Sequence, residues 1–126
     1  LGELDRTFGD VYGNDAGHLE FQYTARASYA LNKAFGAPIG KAFGITVGAP
    51  AGIGVVLADT AVKAATVDVI GYASPAGGTS FSNEVISFLS GDSGAVRQAI
   101  IAAREVGIPL LGALGAKPES TTTPYI

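Results

Sequence analysis

The stretch Ala58-Asp-Thr-Ala-Val-Lys63-Ala-Ala-Thr-Val-Asp-Val-Ile-Gly71-Tyr72 decides the fold, because a helical pattern gives way to a strand pattern within it. Small and apolar residues at helical spacing predict a helix from about Gly52 to Ala65. The β-branched run from Val67 to Tyr72 then predicts a strand. The following segment, Ser74-Pro-Ala-Gly-Gly-Thr-Ser80, is the clearest loop in the chain. The centre of the chain is therefore a helix–strand–loop unit.

A second strand and a second helix follow this loop. The run Val85-Ile-Ser-Phe-Leu-Ser-Gly91 continues the β-type pattern and predicts a strand from Glu84 to Leu89. Asp92 or Ser93 can then cap a helix from Gly94 to Val106, because a side-chain oxygen there accepts from the free N–H groups of the first turn.

Farther from this centre the patterns are weaker. Gly107 and Pro109 are expected to end the helix and to leave Leu110 to Leu114 as a last short strand. Upstream, Lys41 to Val47 predicts another strand. Apolar residues three and four apart predict an amphipathic helix from Leu19 to Phe35, although its first turn also alternates as a strand does.

The order of these elements predicts an α+β domain. We expect a mainly antiparallel sheet of about four strands with helices packed on one side. Residues 1–8 look like the tail of a helix that Gly9 closes. The chain contains no Met and opens with Leu, so we expect a part of a longer protein, with residues 1–9 ending a helix of a preceding domain or linker. Residues 10–116 form the domain, and the polar, Pro- and Thr-rich residues 117–126 are expected to be irregular.

Composition excludes several classes of function. The 126 residues suffice for one domain. With no Cys and with His18 as the single histidine, disulfides, thiolate sites and multi-histidine zinc sites are excluded, and we expect no metal and no cofactor. The net charge of -3 offers no footprint for nucleic acid.

The surface is unusually poor in charge. Charged residues make up 15% of the chain, against about 25% in ordinary soluble domains, and 48% of residues are apolar. The longest uncharged stretch, Ala42 to Ala58, is interrupted by glycines and Pro50 and falls short of the roughly 20 residues of a membrane span. We therefore expect no membrane partner and an apolar surface that neighbouring protein covers.

A dinucleotide-binding oxidoreductase is the alternative hypothesis. The glycines of Thr46-Val-Gly48-Ala-Pro-Ala-Gly52-Ile-Gly54 have the spacing that cradles a pyrophosphate at a helix N-terminus. Tyr29 and Lys33 match the Tyr-x-x-x-Lys pair of short-chain dehydrogenases, but here the pair precedes the glycines, and the chain is about half the length of such an enzyme. As an ordinary explanation, Gly48 and Pro50 make a turn while Gly52 and Gly54 permit close packing.

Five parts of the chain carry a family resemblance. They are a helix ending in Lys63-Ala-Ala, a strand ending in Gly71-Tyr72, a glycine-rich loop, a strand ending in Gly91-Asp92 and a helix that opens with Gly94-Ala-Val. In this order they resemble the bacterial microcompartment (BMC) shell domain. The helix-containing segment from Asp10 to Phe35 precedes the usual first strand of that domain, as in circularly permuted shell domains.

Further segments resemble the C-terminal half of the propanediol-utilisation shell protein B group. They are Arg6-Thr-Phe-Gly-Asp-Val-Tyr-Gly-Asn14, Gln22-Tyr-Thr-Ala-Arg-Ala-Ser-Tyr-Ala30, Gly78-Thr-Ser-Phe-Ser-Asn-Glu84 and Pro124-Tyr-Ile126. Members of that group carry two permuted domains per chain and form trimers that look like hexamers. The resemblance implies a non-enzymatic shell protein of the bacterial cytoplasm, of the propanediol/glycerol-utilisation type, whose partners are itself and other shell proteins. A further hypothesis is that the protein is an adaptor for encapsulated enzymes and uses the tail that starts at Lys117 for this role.

The resemblance also implies two kinds of site. Lys63 matches a lysine at the lateral edge between neighbouring tiles; otherwise it is a solvated residue at a helix end. The glycine-rich loop matches the pore loop of the family, whose narrow polar opening passes small metabolites. In this chain the pore-lining residues are expected to be Ser74, Pro75, Ala76, Gly77, Gly78, Thr79 and Ser80.

Overall fold

The computed structural model describes residues 7–74 and 84–120. In chain order the elements are β1 (Thr7–Gly13), β2 (His18–Thr24), α1 (Tyr29–Phe35), β3 (Ala42–Ala49), α2 (Ala51–Ala64), β4 (Asp68–Ala73), β5 (Val85–Gly91), α3 (Ser93–Leu114) and β6 (Glu119–Ser120). The strands form one antiparallel sheet in the order β4-β5-β3-β2-β1-β6. The α+β prediction is confirmed, with six strands in the described residues where about four were expected.

The main core lies between one face of the sheet and the two long helices, α2 and α3. Alternate residues of β3 point to this face, and all of them are small or hydroxylated, which lets the helices approach closely. The hydroxyl groups of Thr46 and Ser87 face each other in neighbouring strands and hydrogen-bond, so neither is buried without a partner. The buried residues of this core are Leu19, Phe21, Tyr23, Ala42, Ile53, Leu57, Ala61, Leu89, Val96, Ala99, Ile100, Ala103 and Leu111.

The opposite face carries a smaller core under α1. Phe35 of α1 stacks on Phe43 and Phe88, with ring centroids 5.6 and 5.0 Å away. Ser28 caps the helix by accepting from the backbone N–H of Leu31, and Gly36 ends it in the left-handed conformation, with φ of 74°. The expectation that all helices pack on one side is therefore wrong.

The single helix predicted from Leu19 to Phe35 is also wrong. Leu19, Phe21 and Tyr23 are buried in alternation along β2, so this segment forms a strand, and the helix starts only at Tyr29. Two patterns compete here: the large residues alternate as in a strand, while the helical spacing of three and four depends on small alanines. The strand pattern prevails because each large side chain buries more apolar area.

Helix α3 continues through both residues that were expected to end it. At Gly107 an added Cβ would lie 2.8 Å from Cδ2 of Leu57, so this glycine allows α2 and α3 to pack closely. Pro109 lies on the exposed side of the helix, where water can hydrogen-bond the carbonyl that the missing N–H leaves free. Leu111 is fully buried, and the strand predicted from Leu110 to Leu114 is instead the last part of α3.

Both ends of the described chain join the sheet. Residues 7–9 belong to β1, where the end of a helix was expected, and residues 1–6 lie outside the described residues. Glu119 and Ser120 pair with β1 inside the tail that was expected to be irregular, and residues 121–126 lie outside the described residues. The side-chain amide of Asn14, in the turn between β1 and β2, donates to the carbonyls of Leu111 and Ala116 and so fixes the end of α3.

A buried ion pair ties β1 to α3. Nη1 of Arg104 donates to Oδ2 of Asp10 at 2.7 Å, with the Asp10 side chain fully buried and that of Arg104 12% exposed. The two residues are 94 positions apart, so no pattern within one segment indicates this pair. Burial and the neighbouring Asp10 carboxylate raise the pKa of Tyr12, while Arg104 acts to lower it.

Candidate functional site

The candidate edge residue Lys63 lies on the exposed surface of α2. Its side chain is 73% exposed, and its Nζ lies 2.8 Å from Oδ2 of Asp59, one helical turn earlier. A cation in the last turn also interacts favourably with the partial negative charge at the C-terminus of the helix. An exposed pair of this kind contributes little to folding stability, so the fold should not depend on Lys63.

An apolar hollow of about 350 Å³ lies beside this ion pair. We call it the edge hollow; it is lined by Val55, Ala58, Asp59, Val62, Tyr72 and Val85. Val55, Val62 and Tyr72 are exposed, Tyr72 by 63%, although large apolar side chains gain from burial. The edge hollow adjoins β4, the strand at one end of the described sheet.

A second apolar hollow, of about 360 Å³, lies at the other side of α2. It is lined by Pro50, Gly52, Ile53, Val56, Leu110, Ala113 and Leu114. Leu114 and Val56 are exposed there. Helix α2 thus lies between two apolar hollows, in agreement with the low charge of the sequence.

The predicted pore loop is described only at its root. Ser74 follows β4, and its Oγ donates to the backbone carbonyl of Glu84, just before β5, at 3.1 Å. The other predicted pore residues, 75–80, lie outside the described residues. Glu84 also contacts His18, at the start of β2, with 3.0 Å between Oε2 and Nε2.

The contact between His18 and Glu84 was missed from the sequence. Glu20, which is nearer to His18 in the sequence, accepts from the side-chain amide of Gln22 instead. To find Glu84 as the partner of His18, the register of β2, β3 and β5 must be known, and no pattern within one segment specifies that register.

The glycines considered for nucleotide binding have packing roles. An added Cβ at Gly48 would lie 2.6 Å from Cα of Gly54, so this pair brings β3 and α2 into backbone contact, whereas Gly52 faces open space. The strands are antiparallel, unlike the parallel sheet of a dinucleotide-binding domain. Tyr29 and Lys33 lie on α1, on the other face of the sheet, and Tyr29 is 67% exposed. The fold gives the oxidoreductase hypothesis no support.

The model of the BMC domain family matches residues 42–116, from the start of β3 to just beyond α3. The chain belongs to the BMC domain family. Within this family match lie Lys63, Ser74 and Glu84, while β1, β2 and α1 precede it and pair or pack on the same sheet. The family, predicted from five short motifs, is confirmed, and so is the mainly antiparallel sheet.

Curated relatives match this chain over its whole length. The bacterial microcompartment shell protein PduB of Citrobacter freundii is 68% identical over all 126 residues, which cover 47% of its own length. PduB of Limosilactobacillus reuteri is 54% identical over the same residues, 53% of its length. The chain thus spans about half the length of the curated relatives it matches.

Solved structures agree with this family membership. The crystal structure of a trimeric bacterial microcompartment shell protein PduB superposes with a TM-score of 0.84 at 54% identity, over all of this chain and 56% of the other. EtuB from Clostridium kluyveri gives a TM-score of 0.77 at 49% identity, over 95% of this chain and 50% of the other.

The described residues contain neither a metal-binding cluster nor a helix that could span a membrane. Residues 7–74 and 84–120 contain no group of three or more histidine, aspartate or glutamate side chains placed to hold a metal ion. Within the same ranges no helix reaches the length and hydrophobicity of a transmembrane span.

Proposed function

We propose that this chain is the C-terminal, circularly permuted BMC domain of a structural protein in the shell of a propanediol/glycerol-utilisation microcompartment in the bacterial cytoplasm. The observation that carries the proposal is the 68% identity to PduB shell proteins over every residue of the chain, with the BMC domain at its centre. Copies tile side by side with one another and with other shell proteins, as trimers that look like hexamers. The trimeric state of the PduB shell protein whose crystal structure superposes on this chain supports this assembly.

The role is structural, and we propose that the domain performs no catalysis and needs no cofactor. Two buried polar contacts support this view because they serve the fold: Thr46 bonds Ser87 within the sheet, and Asp10 of β1 pairs with Arg104 of α3. The domain bounds of residues 1–9, 10–116 and 117–126 stay predictions.

Lys63 is proposed to lie at the lateral edge, between the apolar side of one tile and the next. We expect Lys63→Glu to weaken sheets or cyclic oligomers, because its carboxylate would meet neighbouring groups placed to accept a cation and would also repel Asp59. Size-exclusion chromatography with light scattering, and electron microscopy of sheets, measure the change.

Lys33→Glu is the matched control, since Lys33 also lies in the last turn of a helix but on the other face of the sheet. It should leave assembly unchanged, and neither substitution should alter the melting temperature appreciably. Equal assembly of the Lys63 and Lys33 variants would show that the edge assignment is wrong.

The loop from Ser74 to Ser80 is proposed to line the pore for small polar metabolites. Replacing Gly78 by a bulky residue should narrow the opening, and Ala76→Asp should slow organic acids more than neutral alcohols, because copies of the loop meet at one axis and place a ring of carboxylates there. Flux of a neutral alcohol and of a carboxylic acid across assembled shells is the measurement.

Thr60→Asp, on α2 and outside the loop segment, is the control for added charge. It should leave the ratio of acid to alcohol flux unchanged. Unaltered flux of both solutes in intact shells that carry the loop variants would mean that the loop is only a turn.

A further inference from the structure

The last turn of α3 forms one wall of the second apolar hollow, through Leu110, Ala113 and Leu114. The usual sources of stability are weak at this end of the helix. Pro109 has no N–H, so the turn is joined to the rest of α3 by one hydrogen bond fewer. The sequence of the turn contains no basic residue, and Gly115 behind it is extended, with φ of -163°, where a left-handed residue would help to satisfy the free carbonyls. The turn therefore depends on support from another element.

The side chain of Asn14, between β1 and β2, supplies this support. Its Nδ2 donates to the carbonyl of Leu111 at 3.0 Å and to that of Ala116 at 2.7 Å. The Leu111 carbonyl is one of the last four of the helix, which have no partner within it. Oδ1 of Asn14 accepts from the backbone N–H groups of Ala16 and Gly17 at 2.8 and 3.1 Å. All four hydrogen-bonding positions of the amide are thus used, two for the end of α3 and two for the turn itself.

Asp15 adds a second link from the same turn. Its Oδ1 accepts from the backbone N–H of Ala116 at 3.2 Å. An added Cβ at Gly115 would lie 2.5 Å from this oxygen and 3.2 Å from Nδ2 of Asn14, so the two side chains lie directly against the backbone that follows α3. Because β1 pairs with β2 along its whole length, the turn that carries both side chains is a fixed support.

We propose that Asn14 is a clamp that keeps the segment of α3 beyond Pro109 helical and so maintains one wall of the second apolar hollow. With the clamp closed, Leu114 lines the hollow. When the clamp opens, the backbone from Gly112 to Leu114 unwinds and this wall is lost, while the side chain of Leu111 stays buried in the main core. The clamp does not depend on the function proposed above. It makes an apolar surface of the helical layer depend on a turn at the end of two strands.

Asn14→Asp separates the clamp from the turn. The substitution keeps the size of the side chain and an acceptor for Ala16 and Gly17, but it replaces the donating amide by a carboxylate oxygen, which the carbonyls at the negative end of α3 repel. We expect the amides of Ala113 and Leu114 to exchange at least about tenfold faster, because two hydrogen bonds are lost. Hydrogen–deuterium exchange followed by NMR in the whole chain is the measurement.

Asn32→Asp is the matched control. Nδ2 of Asn32 likewise donates to a backbone carbonyl beyond the end of a helix, that of Ala37 after α1, at 2.9 Å. This variant should leave exchange at Leu114 unchanged, and equal exchange at Leu114 in the two variants would overturn the clamp. Exchange at Ala99, in the middle of α3, should stay slow in both. If Asn14→Asp accelerated Ala99 as much as Leu114, the change would be global unfolding and the local clamp would be wrong.

Asp15→Ala tests the clamp even where Asn14→Asp does not fold. It removes only the acceptor of the Ala116 N–H and leaves both hydrogen bonds from Asn14 in place. The amide of Leu114 should then exchange about threefold faster, a smaller change because one hydrogen bond is lost instead of two. An unchanged rate at Leu114 in this variant would contradict the clamp.

Discussion

Replacing Asp10 by alanine is expected to lower the free energy of unfolding by about 3–5 kcal/mol, because the change leaves a nearly buried guanidinium without its carboxylate. The loss is large for a domain of this size, whose total stability is of the order of 5–15 kcal/mol. Asp10 holds β1 against α3, so β1 and the short β6 beside it should loosen first. Urea unfolding followed by circular dichroism measures the change.

Two further variants separate the effect of the buried Asp10–Arg104 pair from that of an exposed ion pair. Asp59→Ala removes an exposed ion pair to Lys63 and should change stability by no more than about 0.5 kcal/mol. The double variant Asp10→Leu with Arg104→Met removes both charges and should recover most of the loss, since no unpaired charge stays buried. A loss for Asp10→Ala as small as that for Asp59→Ala would show that this pair does not hold β1 in place.

The central part of the fold could be predicted because its local signals agree with its packing. The β-branched strand β4, the strand β5 and the long helices on either side of them begin within about one residue of the expected positions, although α3 ends later than expected. Predictions failed where tertiary contacts override local preference. Gly107 stays helical because Leu57 packs against it, and β2 forms because Leu19 and Phe21 reach the core in alternation.

The candidate site was only partly accessible to sequence reasoning. Lys63 was singled out because its motif lies within one continuous helix, and its role at the lateral edge stays a prediction. The exposed apolar surface beside it agrees with the expectation drawn from the low charge of the chain. The pairs Asp10–Arg104 and His18–Glu84 join residues 94 and 66 positions apart. Their geometry depends on the register of several strands, which no pattern within one segment specifies.

The close approach of β3 and α2 leads to a second large expected effect. Gly48→Ala should destabilise the domain by about 2–3 kcal/mol, at the upper end of the cost of overpacking, because its Cβ would lie 2.6 Å from Cα and N of Gly54. The obstacle is backbone, which cannot rotate away as a side chain can. Helix α2 would have to shift outward, and the edge hollow and Lys63 would shift with it.

Gly52→Ala, on helix α2, is the control for Gly48→Ala on β3, and its effect on stability should have the opposite sign. An added Cβ at Gly52 meets no atom within 4 Å, so the substitution should stabilise the domain by about 0.5–1 kcal/mol through the helix preference of alanine. Thermal unfolding of both variants gives the comparison. The helix preference of alanine acts at Gly52 only, but it is too small to account for a loss of about 2–3 kcal/mol at Gly48, which must arise from the space around the added methyl group. Equal shifts would mean that β3 and α2 can separate at little cost, and the position of Lys63 would then not depend on these glycines.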